Sequence, residues 1–332
     1  MRFSPYKQAT IPNIVVDGSA NEKTVLTLSH WPKSGTPREL KADTSAEIAF
    51  KYLDSPPFHV PVDLVTNNHF DQDGLVSVFA LTEPDMANRY RALLIDVASA
   101  GDFGVFQTRE AVRINFAVSS LADPETSPLS RHVFTLPYPE MAAELYIRLL
   151  ELMPRLIAEP NNFKSLWETE DAGLISSERL VQTGAVTLEE QPGLDFAVVR
   201  VPESLSSNRV HRFTSSQMSE CHPLAIYNKT PRTRILLIQG QRIQFQYRYE
   251  GWVQLASRRP APRVDLSPLT DELNSEEKSG GLWKFDGVAE ITPRLYLADA
   301  RESSIPADLI REKVVRHLRS SPPAWDPYDQ TS

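Results

Sequence analysis

Between Val60 and Leu81 the chain runs from an apolar, β-branched segment (Val60 to Val65) through Thr66-Asn67-Asn68-His69-Phe70-Asp71-Gln72-Asp73-Gly74 into a second apolar run, Leu75 to Leu81. The first segment suits a buried strand and the second a packed helix. A strand that hands over to a helix places the intervening polar residues at the strand's carboxyl end. Open α/β sheets collect their ligands at that edge. One imidazole and two carboxylates on alternate residues, His69, Asp71 and Asp73, are donors for a hard or borderline divalent cation such as Mn²⁺ or Mg²⁺. The same residues also fit a solvated turn in which Asp71 caps the next helix and Asp73-Gly74 makes the bend.

Other polar strand ends lie nearby in sequence. Asn13 to Gly18 reads as a short buried strand ending on Asp17, and Thr24 to Leu28 as a second one ending on Ser29-His30-Trp31. A Pro/Gly loop follows, then a helix opened by Asp43 or Thr44 as N-cap, with Ile48, Ala49, Tyr52 and Leu53 on its apolar face. If the three strands are parallel neighbours, their carboxyl ends converge. Further on, Ala87 to Ala98 has helical spacing, and Asp96 and Asp102 either border the site or face water. Val112 to Val118 reads as a strand, Pro139 to Ala158 as a long helix, and Glu170 to Gly184 as a shorter one.

The pattern changes near Leu188 to Gly193. Asp195 to Val201, Pro223 to Tyr227, Ile235 to Gln239 and Arg242 to Tyr249 read as strands, with Gly240-Gln241 as a hairpin turn between the last two. Arg258, Arg259 and Arg263 lie in a proline-stiffened basic loop. Trp283 to Leu297 reads as further strand, Ile305 to Leu318 as a helix, and Ser320 to Ser332 as a loose tail. The expected organisation is an α/β domain over 1–190, a mostly parallel sheet flanked by helices. A β-rich α+β cap over 191–300 and a C-terminal helix and tail over 301–332 complete it.

A chain of 332 residues with net charge -8 has no overall basic surface with which to displace counterions from phosphates, so general nucleic-acid binding is not expected. The single cysteine, Cys221, provides no internal disulfide and points to a reducing compartment. No stretch approaches the roughly 18 apolar residues of a membrane span, and the first residues lack an apolar signal core. A cytoplasmic protein with no membrane partner is the expectation.

His69-x-Asp71-x-Asp73-Gly74, after a strand and before an apolar helix, resembles the first motif of the DHH phosphoesterase superfamily. Asp17 at its strand end is similar to the second motif. Leu28-Ser29-His30-Trp31, with its Pro/Gly loop and the Thr44-Ser45 helix start, is similar in layout to the third, Asp-His-His. The resemblance covers roughly residues 13–81, and departs from the family in two ways. The motifs run second, third, first, which implies a circularly permuted sheet, and Ser29 and Trp31 stand where Asp and one His belong.

The resemblance implies a metal-dependent phosphoesterase acting on a small phosphorylated or nucleotide substrate with one or two Mn²⁺ or Mg²⁺ ions. His69 and Asp71 would hold one cation and Asp73 a second, with Asp17 bridging. His30 would complete the shell or bond a phosphate; it and Asp73 are the candidate catalytic groups. Arg258, Arg259 and Arg263 are candidates for binding substrate phosphate, because guanidinium takes phosphate oxygens in pairs; the same residues also fit a solvated basic loop. Asn67 and Asn68, just before His69, would either orient the site or terminate the strand, and Asn68 is the candidate for binding substrate. The loss of ligands at Ser29 and Trp31 supports an alternative, a non-catalytic ligand-binding or interaction protein on a degenerate DHH-like scaffold.

Overall fold

The computed structural model describes residues 1–212 and 215–329, with the backbone alone at 212 and over 215–219. It divides into two compact units. The first comprises 1–175, 208–219 and 255–257; the second comprises 176–207, 220–254 and 258–332.

The first unit is built on a four-stranded sheet of β1 (Arg2–Phe3), β2 (Asn13–Val16), β3 (Thr24–Leu28) and β4 (Leu64–Thr66), in the order β1-β4-β2-β3. Every pairing is parallel. Ile14, Val15 and Val16 have no exposed surface, as the unbroken apolar run of a central parallel strand requires. All carboxyl ends open on one edge, and β2 lies between β3 and β4. The residue that ends β2, Asp17, is thereby flanked by the residues that end the other two.

Helices pack beside the sheet: α1 (Ser45–Leu53), α2 (Gln72–Thr82), α3 (Pro84–Arg89), α4 (Arg91–Asp102), α5 (Arg109–Ala122), α6 (Tyr138–Ala158) and α7 (Glu168–Gln182), the last of which crosses into the second unit. At α1, the Thr44 side chain accepts from Glu47 N–H while Glu47 accepts from Thr44 N–H, the reciprocal capping box that the sequence suggests. Residues 112–118, expected as a strand, belong instead to α5. Val112, Ile114, Phe116 and Val118 mimic a two-residue period because Arg113 and Asn115 fall between them; over the longer span Arg109–Ala122 the chain is helical. Thr108, accepting from Ala111 N–H, starts the helix.

The second unit contains a six-stranded mixed sheet of β5 (Thr187–Gln191), β6 (Phe196–Arg200), β9 (Arg234–Gln239), β10 (Arg242–Tyr247), β11 (Leu282–Phe285) and β12 (Arg294–Ala298), in the order β11-β12-β10-β9-β6-β5. A separate hairpin, β7 (Asn208–Arg212) with β8 (Ser215–Ser219), belongs to the first unit. Gln239 pairs with Arg242 across Gly240-Gln241, and Gly240 has φ of 58°, so the two-residue hairpin turn is as expected. The expected strand at 223–227 is instead a short helix, α8 (Pro223–Tyr227). Pro223 occupies its first turn, and His222 Nδ1 accepts from Leu224 N–H. Helices α9 (Ser267–Glu276) and α10 (Ala307–Ser320) supply Leu269, Leu273, Ile310, Val314 and Leu318 to one core with Phe196, Leu236, Phe245 and Trp283. The expected loose tail is tied down in part, since Arg263 and Trp325 form an antiparallel bridge. Its last three residues, 330–332, lie outside the described residues. The α/β class with a parallel sheet, accompanied by a β-rich part, is the observed architecture. No helix among the described residues is long and apolar enough to cross a membrane.

Candidate metal centre

Asp17, His30, His69, Asp71 and Asp73 meet at the carboxyl edge of the parallel sheet. One ligand atom from each of Asp17, His69 and Asp71 lies within 4.8 Å of the others, and the same holds for Asp17, His30 and Asp73. The two groups share Asp17. Asp17 has φ of 46°, a left-handed conformation that aspartate tolerates better than most residues and that functional sites often retain. Gly18 follows it because a Cβ there would stand 2.1 Å from Asn68 Oδ1, the oxygen that accepts from Ser19 N–H. Asn68 therefore lies against the Asp17-Gly18 turn at the border of the cluster.

His30 Nδ1 is 2.7 Å from the carbonyl oxygen of Asp43. A carbonyl can only accept, so the proton sits on Nδ1 and the Nε2 lone pair points the other way. Nε2 is 3.5 Å from Asp17 Oδ1, 3.9 Å from Asp73 Oδ2 and 3.5 Å from Asp102 Oδ2. Burial holds the imidazole pKa below its ordinary value. This nitrogen thus faces three carboxyl groups.

Asp73 is fully buried on α2 and reaches the first turn of α1. Its Oδ2 accepts from Ser45 N–H and its Oδ1 from Ala46 N–H, each at 2.7 Å, so its charge faces the positive end of that helix. Burial, then the charges of Asp17 and Asp71, push its pKa well above the carboxylate range. Ser45 Oγ donates to Asp17 Oδ1 at 2.8 Å. Asp71 is the N-cap of α2, with Oδ1 accepting from Gly74 N–H at 2.8 Å, while its Oδ2 lies 2.8 Å from His69 Nε2. One oxygen of the carboxylate thus takes the capping role while the other faces His69. Gly74 makes no bend; it is helical, and its importance is spatial.

His69 Nε2 is also 3.3 Å from Asp17 Oδ2. Burial pushes this imidazole down, but Asp71 and Asp17 outweigh it and hold the pKa well above the ordinary value. Trp31 stacks on the ring with centroids 5.0 Å apart. The His69 side chain is 19% exposed whereas those of His30 and Asp73 show none, so the cluster opens on the His69 side.

Among the described residues, the ion-pair partners of Asp17, Asp71 and Asp73 are histidines, not lysine or arginine. Buried carboxylates are ordinarily paired with cationic side chains or coordinate metals. This buried acidic and imidazole cluster could therefore hold a metal ion.

Two features are not legible in the motif. Ser29 turns its hydroxyl away to accept from Trp31 N–H, closing its own turn. Asp102, at the end of α4, is 1% exposed and brings a carboxylate to His30. A lone acid within the apolar run Ala98 to Phe106 is the available signal, since an acid in such surroundings is seldom buried without a partner. Arg258 and Arg259 belong to the second unit. Arg258 lies 3.9 Å from Glu250, and Arg259 pairs with Asp326 at 2.6 Å and sits over the Tyr328 ring.

A family model matches residues 1–329, nearly the whole chain. The chain belongs to DUF6687, a family of unknown function. No curated protein matches it. A solved structure similar to this chain is a pGpG-specific phosphodiesterase, PggH, from Vibrio cholerae. It is 10% identical, with a TM-score of 0.41 and coverage of 95% of this chain and 88% of that one.

Proposed function

We propose that the protein is a metal-dependent phosphoesterase that hydrolyses a small phosphorylated or nucleotide substrate, on a permuted DHH-like sheet. The observation that carries this reading is the sharing of Asp17 between two three-residue ligand groups. Such sharing is what a pair of adjacent cations needs. Oxygen and imidazole donors without thiolate suit Mn²⁺ or Mg²⁺. His69, Asp71 and Asp17 would hold one ion, and His30, Asp73 and Asp17 the other, with Asp102 beside His30. Ions held by these residues would supply an activated water and charge neutralisation for an in-line phosphoryl displacement.

The chain's own groups prepare that chemistry. The Asp43 carbonyl fixes the His30 tautomer, α1 orients Asp73 through Ser45 and Ala46, and Ser45 Oγ orients Asp17. The open His69 side, bordered by Trp31 and Asn68, is where substrate phosphate reaches the cluster.

The test is calorimetric titration with Mn²⁺ followed by an assay on bis(p-nitrophenyl) phosphate and nucleotide monophosphates and dinucleotides. Binding with turnover that Asp71→Asn abolishes is the expected result. Absence of binding at millimolar Mn²⁺ overturns the proposal, and binding without hydrolysis of any phosphoester leaves the non-catalytic ligand-binding reading in its place.

A further inference from the structure

The space beside Gly74 gathers polar atoms that the ligand set does not use. An ideal Cβ on Gly74 would stand 2.4 Å from Tyr146 Oη, 2.4 Å from Asn67 Nδ2 and 3.1 Å from Asp71 Oδ1. Three polar groups from β4's end, α2 and α6 thus converge on the volume that only glycine leaves open. Tyr146 is 1% exposed and Asn67 3%. Neither the Tyr146 hydroxyl nor the Asn67 Nδ2 has a hydrogen-bond partner among the described residues. A buried donor left without a partner is destabilising.

Neither group is free to turn outward. Phe3 stacks on the Tyr146 ring at 4.8 Å and Phe70 meets it edge-on at 5.1 Å. Asn67 is held by its other end, where Oδ1 accepts from His69 N–H at 3.0 Å. Burial, then the charge of Asp71, raises the Tyr146 pKa well above its ordinary value, so the phenol stays a donor. Asp71 itself is divided, with Oδ2 turned to His69 and Oδ1 turned to Gly74 N–H and this pocket.

We infer that Tyr146 and Asn67 are positioning residues that donate to Asp71 Oδ1 when its Oδ2 engages a cation. This rests on the metal-centre reading above. Supports of this kind behind a ligating carboxylate are worth roughly 10- to 100-fold in metal affinity. In the metal-free protein the same donors are a burden, and the two states therefore give opposite signs.

Tyr146→Phe removes one oxygen and keeps the ring that Phe3 and Phe70 hold. Two measurements on the full chain follow: thermal unfolding after chelation, and calorimetric titration with Mn²⁺. The expected result is a metal-free melting temperature equal to or above that of the unmodified protein, with Mn²⁺ affinity reduced roughly 10- to 100-fold. Affinity within about twofold of the unmodified protein overturns the inference and leaves the metal centre standing. Loss of affinity accompanied by a melting temperature lowered by several degrees also overturns it, because the hydroxyl then serves the fold. Failure of the unmodified protein to bind Mn²⁺ removes the centre and the inference together.

Discussion

The backbone carbonyl of Asp43 accepts from His30 Nδ1 at 2.7 Å, while the Asp43 carboxylate accepts from Ala256 N–H and Ser257 N–H at 2.8 Å each and from Ser257 Oγ. One residue therefore fixes the tautomer of a candidate ligand with its main chain and anchors a distant segment, 255–257, with its side chain. Asp43→Ala leaves the carbonyl in place but releases the anchor, so the loop that carries the carbonyl loosens. We expect a stability loss of about 1–3 kcal/mol from the lost charge-assisted bonds. Mn²⁺ affinity is expected to fall about tenfold through the freed His30 ring. Denaturant unfolding and calorimetry on the same preparation check both; an unchanged affinity assigns Asp43 to the fold alone.

The shared position of Asp17 makes a prediction about stoichiometry. Asp71→Asn keeps an N-cap oxygen for Gly74 N–H, because asparagine caps as well as aspartate. Asp17→Asn keeps a side chain that tolerates the left-handed backbone found at residue 17. Both variants should fold. Asp71→Asn is expected to lose one bound Mn²⁺ and Asp17→Asn to lose both, as counted by calorimetry or by bound-metal analysis after dialysis. Equal loss in the two variants means that the groups are a single site.

The sequence shows a strand end most clearly where polar residues interrupt apolar runs. That is why Asp17, His30 and the His69 to Asp73 stretch can be placed on one edge from local pattern. Their meeting depends on β2 lying between β3 and β4, and strand order is a long-range property that no local pattern encodes. Asp102, which the sequence leaves between bordering the site and facing water, borders it beside His30, whereas Tyr146 is hidden because it reaches the site from a helix that reads as ordinary core. Residues 112–118 of the helix at 109–122 read as a strand because Val112, Ile114 and Phe116 alternate with Arg113 and Asn115, and β-branched and aromatic residues over so short a window suggest the wrong element. Arg258 and Arg259 stand out by charge alone, and the structure gives them carboxylate neighbours in Glu250 and Asp326.

Cys221 and His222 adjoin in sequence, whereas a cysteine nucleophile needs a base brought beside it in space. Cys221 is 1% exposed, and burial pushes its thiol up to about 11. The thiolate, which is the reactive form, is therefore nearly absent at neutral pH. We expect the native protein to react with a thiol reagent such as dithiobis(nitrobenzoate) at least about 100-fold more slowly than the same chain in denaturant. Iodoacetamide should leave any phosphoesterase activity intact. Rapid native labelling contradicts the burial.

Glu277 gives the second unit an acid-sensitive fastening. It accepts from Ser303 Oγ at 2.6 Å, from Ser304 N–H at 2.8 Å and Ser304 Oγ at 2.6 Å, from Ser279 N–H at 3.0 Å and from Trp283 Nε1 at 3.0 Å. Burial pushes this carboxyl up, yet the bonds from Ser303, Ser304 and Ser279 outweigh it and hold the pKa far below the ordinary 4.5. The sign follows from linkage: a carboxylate whose folded pKa is depressed adds stability above its unfolded pKa, and that stability is lost as pH falls from about 4.5 toward the folded value. Glu277→Gln cannot accept at both oxygens and carries no charge, so it should cost about 1–3 kcal/mol at pH 7. The gap to the unmodified protein should then narrow steadily below pH 4.5. Because Trp283 is 2% exposed and bonded to this carboxylate, its emission reports the release directly. Denaturant melts followed by tryptophan fluorescence at pH 7, 4 and 3 check the convergence. A difference between the two proteins that stays constant with pH shows that the Glu277 bonds act through their geometry and not through the charge.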